Sequence, residues 1–161
     1  MIGARRSRIA FGIDRNYPLI EVVRKSATVD CAVEEAFRIF TTDAMNWWPV
    51  ATHSIHGTVS EIVFEPHVGG EVYEVAESGE RGHWATVLEW EPPSRLVLAW
   101  NILDRGDVTE VEVRFLAADG QTRVELEHRG WENVELDAPT KRGDYDEGWG
   151  VVLGKYVDHT G

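Results

Sequence analysis

Cysteine is nearly absent from this chain: Cys31 stands alone among 161 residues, so no internal disulfide can form and a reducing compartment fits. Cys31 sits beside an expected helix start, where a thiol can be acidified, although a lone cysteine commonly serves as a small packing residue. Positive charge is scarce too, with 16 Lys and Arg against 28 Asp and Glu and a net charge of -12. That balance excludes nucleic acid as an expected partner, because sequence-independent affinity needs many cations on phosphates. It equally disfavours an anionic membrane surface. No apolar run approaches a membrane-spanning length. Arg5-Arg6-Ser7-Arg8 has the look of a twin-arginine export signal, but Asp14 and Arg15 interrupt the apolar stretch at 9–13 and no small-residue cleavage site follows. The expectation is a cytoplasmic protein. P-loop, dinucleotide fingerprint and nucleophile elbow are all missing, which weakens an enzymatic reading without excluding chemistry inside a cavity. No cofactor is expected.

What is present is an ordinary globular composition, 43% hydrophobic and 27% charged, with seven tryptophans as its one unusual feature. A tryptophan-rich core and a tryptophan-lined pocket predict the same count. At this length one domain is the simplest reading, burying roughly 70% of its unfolded surface. Residues 1–18 form an extension that ends at Tyr17-Pro18 and holds Arg5, Arg6, Arg8 and Arg15 against Asp14; residues 19–161 form the domain. Residues 19–29 read as a strand. Asp30 is placed to cap a helix in which Val33, Phe37 and Phe40 recur along one stripe, ending near Thr41-Thr42. Trp47-Trp48-Pro49 opens a loop that runs to Gly57. Alternation then marks strands at 59–65, 71–77, 83–91 and 96–101, separated by turns at 66–70, 80–82, Pro92-Pro93 and 104–107.

Asp119-Gly120 is the strongest local signal, since both turn residues must tolerate positive φ. Folding residues 109–130 about it pairs Phe115 with Val124, Val113 with Leu126 and Val111 with His128 on one face. The other face pairs Arg114 with Glu125 and Glu110 with Arg129, leaving Glu112 against Glu127 as a like-charge mismatch. His128 is thereby the one ionisable side chain in an inward apolar row. Residues 141–158 have helical period: Tyr145, Trp149, Val152 and Tyr156 share a face. Gly143, Gly148, Gly150 and Gly154 weaken that helix by about 1 kcal/mol each relative to alanine. Packing must hold it, with glycines on its inner side admitting the sheet or leaving space.

The closely spaced antiparallel strands and the long terminal helix describe an α+β architecture, a curved sheet around a helix, and the gap between them is the default binding site. Trp47-Trp48-Pro49, Thr52-His53-Ser54, Glu65-Pro66-x-Val68-Gly69-Gly70, Trp84, and the run from Val87-Leu88 through Trp90-Glu91-Pro92-Pro93-x-Arg95-Leu96-Val97-Leu98 to Trp100 carry a resemblance. So do Thr122-Arg123 through His128-Arg129-Gly130 and Gly148-Trp149-x-x-x-Leu153. Over residues 20–158 the chain resembles the START-like (SRPBCC) superfamily, in the bacterial branch similar to the activator of the heat-shock-protein-90 ATPase. The resemblance implies a helix-grip fold, about seven antiparallel strands around a C-terminal helix with a cavity between. Its members include lipid carriers, hormone receptors, polyketide cyclases and a co-chaperone domain, so function resides in the cavity and is not inherited from the fold.

The expected ligand is therefore a small, mostly apolar or amphipathic molecule, held by Trp48, His53, Trp84, Trp100, Val111, Val113, Leu126, His128 and Trp149. His128, desolvated and neutral, either anchors a polar tip of the ligand or is a core histidine satisfied by the protein. An enzymatic alternative gives His128 the role of general base in cyclase-like chemistry. A chaperone-associated module is suggested by the resemblance alone. His53 and His56 supply two metal ligands at best, so no metal is expected. The acidic run Glu132, Glu135, Asp137, Asp144, Asp146 and Glu147 reads as a solvated surface. A monomer or weak homodimer is the expected state.

Overall fold

A computed structural model describes residues 20–160 of the chain. The extension at 1–18 and the first residue of the expected opening strand lie outside the described residues. Seven strands, β1 (Val23–Val29), β2 (Val59–Phe64), β3 (Glu71–Ala76), β4 (Arg81–Glu91), β5 (Arg95–Trp100), β6 (Thr109–Ala118) and β7 (Gln121–Arg129), form one antiparallel sheet in the order β1-β7-β6-β5-β4-β3-β2. Helix α1 (Val33–Thr41) follows β1, and the sheet curls around helix α2 (Ala138–Thr160). This is the helix-grip fold.

The β6–β7 register is the one that the Asp-Gly turn dictates. Asp119 and Gly120 adopt φ 53° and 83°, and Val111↔His128, Val113↔Leu126 and Phe115↔Val124 lie opposite each other. The Glu112–Glu127 mismatch is resolved by a third strand position. Arg129 Nη1 lies 2.6 Å from Glu112 and 2.9 Å from Glu127, and Arg95 Nε and Arg114 Nε approach Glu112 at 2.6 and 3.0 Å. Burial alone pushes the Glu112 carboxyl up, but these guanidinium hydrogen bonds outweigh it and hold the group below the usual range.

Two helix boundaries differ from the periodicity. Ala32, not Asp30, caps α1, and no side chain bonds its first N–H groups; Asp30 lies two residues too early to reach them. Helix α2 starts at Ala138, three residues before the apolar stripe suggests, because the fixed φ of Pro139 suits a first helical turn. Strand β1 begins at Val23; the carbonyls of Glu21 and Val22 accept from Arg142 on α2 instead of joining the ladder. The Cys31 thiol is not acidified: burial, then Glu35 and Asp30, push its pKa up.

The stripe on α2 holds, with Trp149, Val152, Leu153 and Tyr156 buried. Its glycines correct the expectation. Gly143, Gly150 and Gly154 face open space, and a Cβ added there meets nothing within 4 Å. Gly148 alone looks inward, with the His53 ring 3.6 Å from its would-be Cβ. Replacing Gly150 and Gly154 by alanine should therefore stabilise the protein by about 0.5–1 kcal/mol each, read as an additive rise in urea midpoint at unchanged m.

Candidate functional site

The space between sheet and helix is filled at one end and hollow at the other. At the α1 end, Phe40, Trp47, Phe115 and Tyr156 close the core with ring centroids 5.0–5.7 Å apart. The Tyr156 hydroxyl donates to the Ala36 carbonyl at 2.7 Å, and Trp47 Nε1 to that of Ile39 at 2.8 Å. Toward the other end a cavity of about 400 Å3 remains, within the range of small-molecule sites.

Four indoles wall it in a closed circuit. Trp48 (loop after α1), Trp84 (β4), Trp100 (β5) and Trp149 (α2) follow one another at centroid distances of 4.8, 6.0, 5.4 and 6.1 Å. Every indole N–H in the circuit is spent on the protein. Trp48 donates to the His53 carbonyl at 2.8 Å, Trp84 to Glu74 at 2.7 Å, Trp100 to the Tyr145 hydroxyl at 2.9 Å and Trp149 to His128 Nδ1 at 2.9 Å. The rings thus offer π faces and C–H edges, with no polar atom left to solvate. Val152 and Ile55 add aliphatic surface, and the half-exposed His53 and exposed Leu103 mark the side that meets solvent.

The 54–57 loop that contributes this wall is held by a buried carboxylate. Glu74, wholly buried on β3, accepts from the Ile55 and His56 backbone N–H groups at 2.8 Å, from His56 Nδ1 at 2.7 Å and from Trp84 Nε1 at 2.7 Å. Burial pushes its pKa up, and the four hydrogen bonds more than reverse this, leaving it below the ordinary carboxylate value. Gly82 permits the close approach: a Cβ there would lie 2.8 Å from Ile55 Cδ1.

Of the nine residues expected at the site, the structure places Trp48, His53, Trp84, Trp100 and Trp149 on this cavity. Val111, Val113, Leu126 and His128 are not on its wall. They do face inward, but all four are buried in the core at 0–2% exposure. His128 is wedged between Trp131, Tyr145 and Trp149, and both its nitrogens are occupied. An indole N–H can only donate, so Nδ1 accepts from Trp149 and the proton sits on Nε2, 2.7 Å from Thr109 Oγ1. Desolvation pushes the imidazole pKa down to about 3, so it is neutral at physiological pH. Both of its nitrogens are bonded to the protein and it is not on the cavity wall, the placement of a core histidine satisfied by Trp149 and Thr109.

His53 and His56 diverge, the first to the cavity and the second to Glu74, and among the described residues no group of three or more His, Cys, Asp or Glu side chains converges on a metal position. Ser54, Ile55, Ile102, Leu103, Tyr145, Gly148 and Val152 complete the wall and were not among the nine residues expected there. Tyr145 and Val152 share the Trp149 stripe and were legible by spacing. Glu74 has the strand parity of Val72 and Ala76, so a charge on the inner face was visible as well. Ile102 and Leu103 lie in a loop without periodicity and gave no signal.

A curved sheet that grips a terminal helix over an aromatic hollow defines the helix-grip class. The chain belongs to the family of activator of Hsp90 ATPase homolog 1-like proteins, whose family model matches residues 30–158. No curated protein matches it. Among solved structures, it is similar to Txn09, an anthrahydroquino-gamma-pyrone synthase, at 34% identity over 83% of this chain and 87% of that one, with a TM-score of 0.54. It is also similar to CalC, a self-sacrificing resistance protein from Micromonospora echinospora, at 27% identity over 86% and 93% of the two chains, with a TM-score of 0.64. The Aha1 dimer from Colwellia psychrerythraea shares the fold at 15% identity, covering 88% and 96%, with a TM-score of 0.62. The family includes Hsp90 activators. Among the described residues no helix is long and apolar enough to cross a membrane.

Proposed function

We propose that this protein binds a small, mostly apolar aromatic molecule in the cavity between the sheet and α2. One observation carries the reading: four clustered indoles surround an unfilled space of about 400 Å3, and each turns its only polar atom into the protein. Such a wall rewards flat apolar surface at about 25 cal/mol per Å2 buried, less the cost of association. Stacked or edge-on rings add about 0.5–1.5 kcal/mol per aromatic pair. The polar groups left to orient a ligand are the Tyr145 hydroxyl, whose proton is free while it accepts from Trp100, and His53, whose Nδ1 lies 2.7 Å from Thr52 Oγ1.

Calorimetric titration with 1,8-dihydroxyanthraquinone tests this directly. Saturable binding with a negative heat-capacity change is the expected result. Gly148→Leu should weaken it at least about ten-fold, because the new side chain enters the cavity while the helix gains propensity, so thermal stability holds. Absence of saturable binding to the wild-type protein, or unchanged affinity in Gly148→Leu, overturns the proposal.

The 34% identity to a gamma-pyrone synthase favours a second reading, ring closure on a polycyclic aromatic substrate. In that case the acid–base groups are His53 and Tyr145, which face the cavity, and not His128. Burial raises the Tyr145 pKa, which suits a hydroxyl that donates a hydrogen bond over one that ionises. Product formation from a pyrone precursor that survives His128→Gln but fails in Tyr145→Phe supports this version; loss in neither variant rejects it.

A further inference from the structure

A second hollow of about 200 Å3 adjoins the first, and Trp100, Ile102 and Tyr145 are the wall they share. Its chemistry is different. Where the main cavity is aromatic, this annex is lined by Arg105, Lys141, Asn101, Asp107 and Thr109. Among the described residues every Lys and Arg has a carboxylate oxygen within 4.0 Å except Arg105, Lys141 and Lys155. In a chain with a net charge of -12, two of those three unpaired cations border one small hollow. Asp107 is the single carboxylate on this wall, and it pairs with neither.

Neutral groups point the same way. Thr109 Oγ1 accepts the His128 Nε2 proton, so its own hydroxyl hydrogen is left to donate elsewhere. The Tyr145 hydroxyl accepts from Trp100 and likewise keeps a proton to give. Asn101 Oδ1 is buried with no hydrogen-bond partner, a condition that ordinarily costs about 1–3 kcal/mol until a donor arrives. The dividing turn at Ile102–Asp104 holds Leu103 and Asp104 at φ 63° and 53°, left-handed backbone that is uncommon for a leucine.

Resting on the proposed binding of an aromatic molecule in the main cavity, we infer that the annex receives an anionic arm of that same molecule, a carboxylate held by Arg105 and Lys141. Asn101 Oδ1 accepts from a hydroxyl beside it. The ligand class is thus an aromatic acid, with its rings among the indoles and its acidic arm past Tyr145.

The test compares 3-(anthraquinon-2-yl)propanoate with its propanamide by titration calorimetry, in the wild type and in an Arg105→Gln, Lys141→Gln double variant. Both cations are exposed and pair with no carboxylate among the described residues, so the variant keeps the fold. The acid should bind about three- to ten-fold more tightly than the amide at low salt, a modest factor because solvent reaches both cations. That preference should vanish in the double variant and shrink in high salt, while the amide binds both proteins equally. Equal affinity for acid and amide in the wild type overturns the annex and leaves the aromatic cavity standing. A preference that persists in the double variant also overturns it. Failure of both probes to bind removes the aromatic-cavity reading and the annex with it.

Discussion

Acidification from pH 6.5 to about 4.5 is expected to remove about 2–3 kcal/mol of folding stability, through His128 alone. The imidazole is neutral when folded because burial depresses its pKa to about 3, whereas the unfolded chain protonates it near 6.5. Above 6.5 neither state carries the proton and the group is neutral to stability. Between 6.5 and 3 the unfolded chain takes up a proton that the folded one refuses, so stability falls as pH falls, by about 1.4 kcal/mol per unit. The geometry explains the refusal: Nδ1 faces the Trp149 N–H, and a second proton there would set donor against donor. His128→Gln should lose about 1–3 kcal/mol at pH 7 from imperfect replacement of two buried hydrogen bonds, yet show a flatter profile between pH 6.5 and 4.5. Urea melts across that range make the comparison. An identical slope in variant and wild type would show that protonation of this imidazole does not drive acid sensitivity.

Removing the Glu74 carboxylate should cost about 3–5 kcal/mol, the range for stripping one partner from a buried charged cluster. Glu74→Ala strands the Ile55 and His56 N–H groups, the His56 ring and the Trp84 indole together. Ligand affinity should fall as well, because Ile55 and Trp84 form part of the cavity wall. Glu74→Gln keeps the volume but turns an amide NH2 toward these donors, so it should fall between wild type and alanine. Since the folded pKa lies below the ordinary carboxylate value, the Glu74 contribution is complete above about pH 4.3 and fades as pH drops through its lower folded value. The two windows overlap below about pH 4.3, but between 6.5 and 4.3 only His128 contributes, so one pH series separates them there. A loss under about 1 kcal/mol in Glu74→Ala would mean that water replaces the carboxylate at no great cost.

The parts of the fold that were legible in the sequence rest on local rules. Asp119-Gly120 set the β6–β7 register because a two-residue turn with positive φ leaves one alignment of the charged and apolar rows. Alternation located β2 to β5 to within a residue or two, and the four-three-four spacing of Tyr145, Trp149, Val152 and Tyr156 gave the buried face of α2. What stayed hidden is depth and wiring. Strand parity says that His128 points inward, but parity cannot say that Trp149, 21 residues later, comes between it and the hollow. Nor does parity say that Val111, Val113 and Leu126 are buried in the core away from the cavity wall. The α2 glycines show the converse error: three of the four lie on the open face, where the weak helix is held by what its other side packs against. Glu74 was readable as an inward charge, yet only its four donors from a loop and a neighbouring strand reveal why it is tolerated there.

The circuit of Trp48, Trp84, Trp100 and Trp149 also has an optical consequence. Indoles whose centroids stand 4.8–6.1 Å apart pass excitation among themselves faster than they emit. An absorbing molecule seated among them therefore drains the ring as a unit, whichever tryptophan captured the photon. Trp47, 5.3 Å from Trp48, joins the same exchange, so quenching of the intrinsic emission on titration with such a molecule would gauge how much of it is seated there.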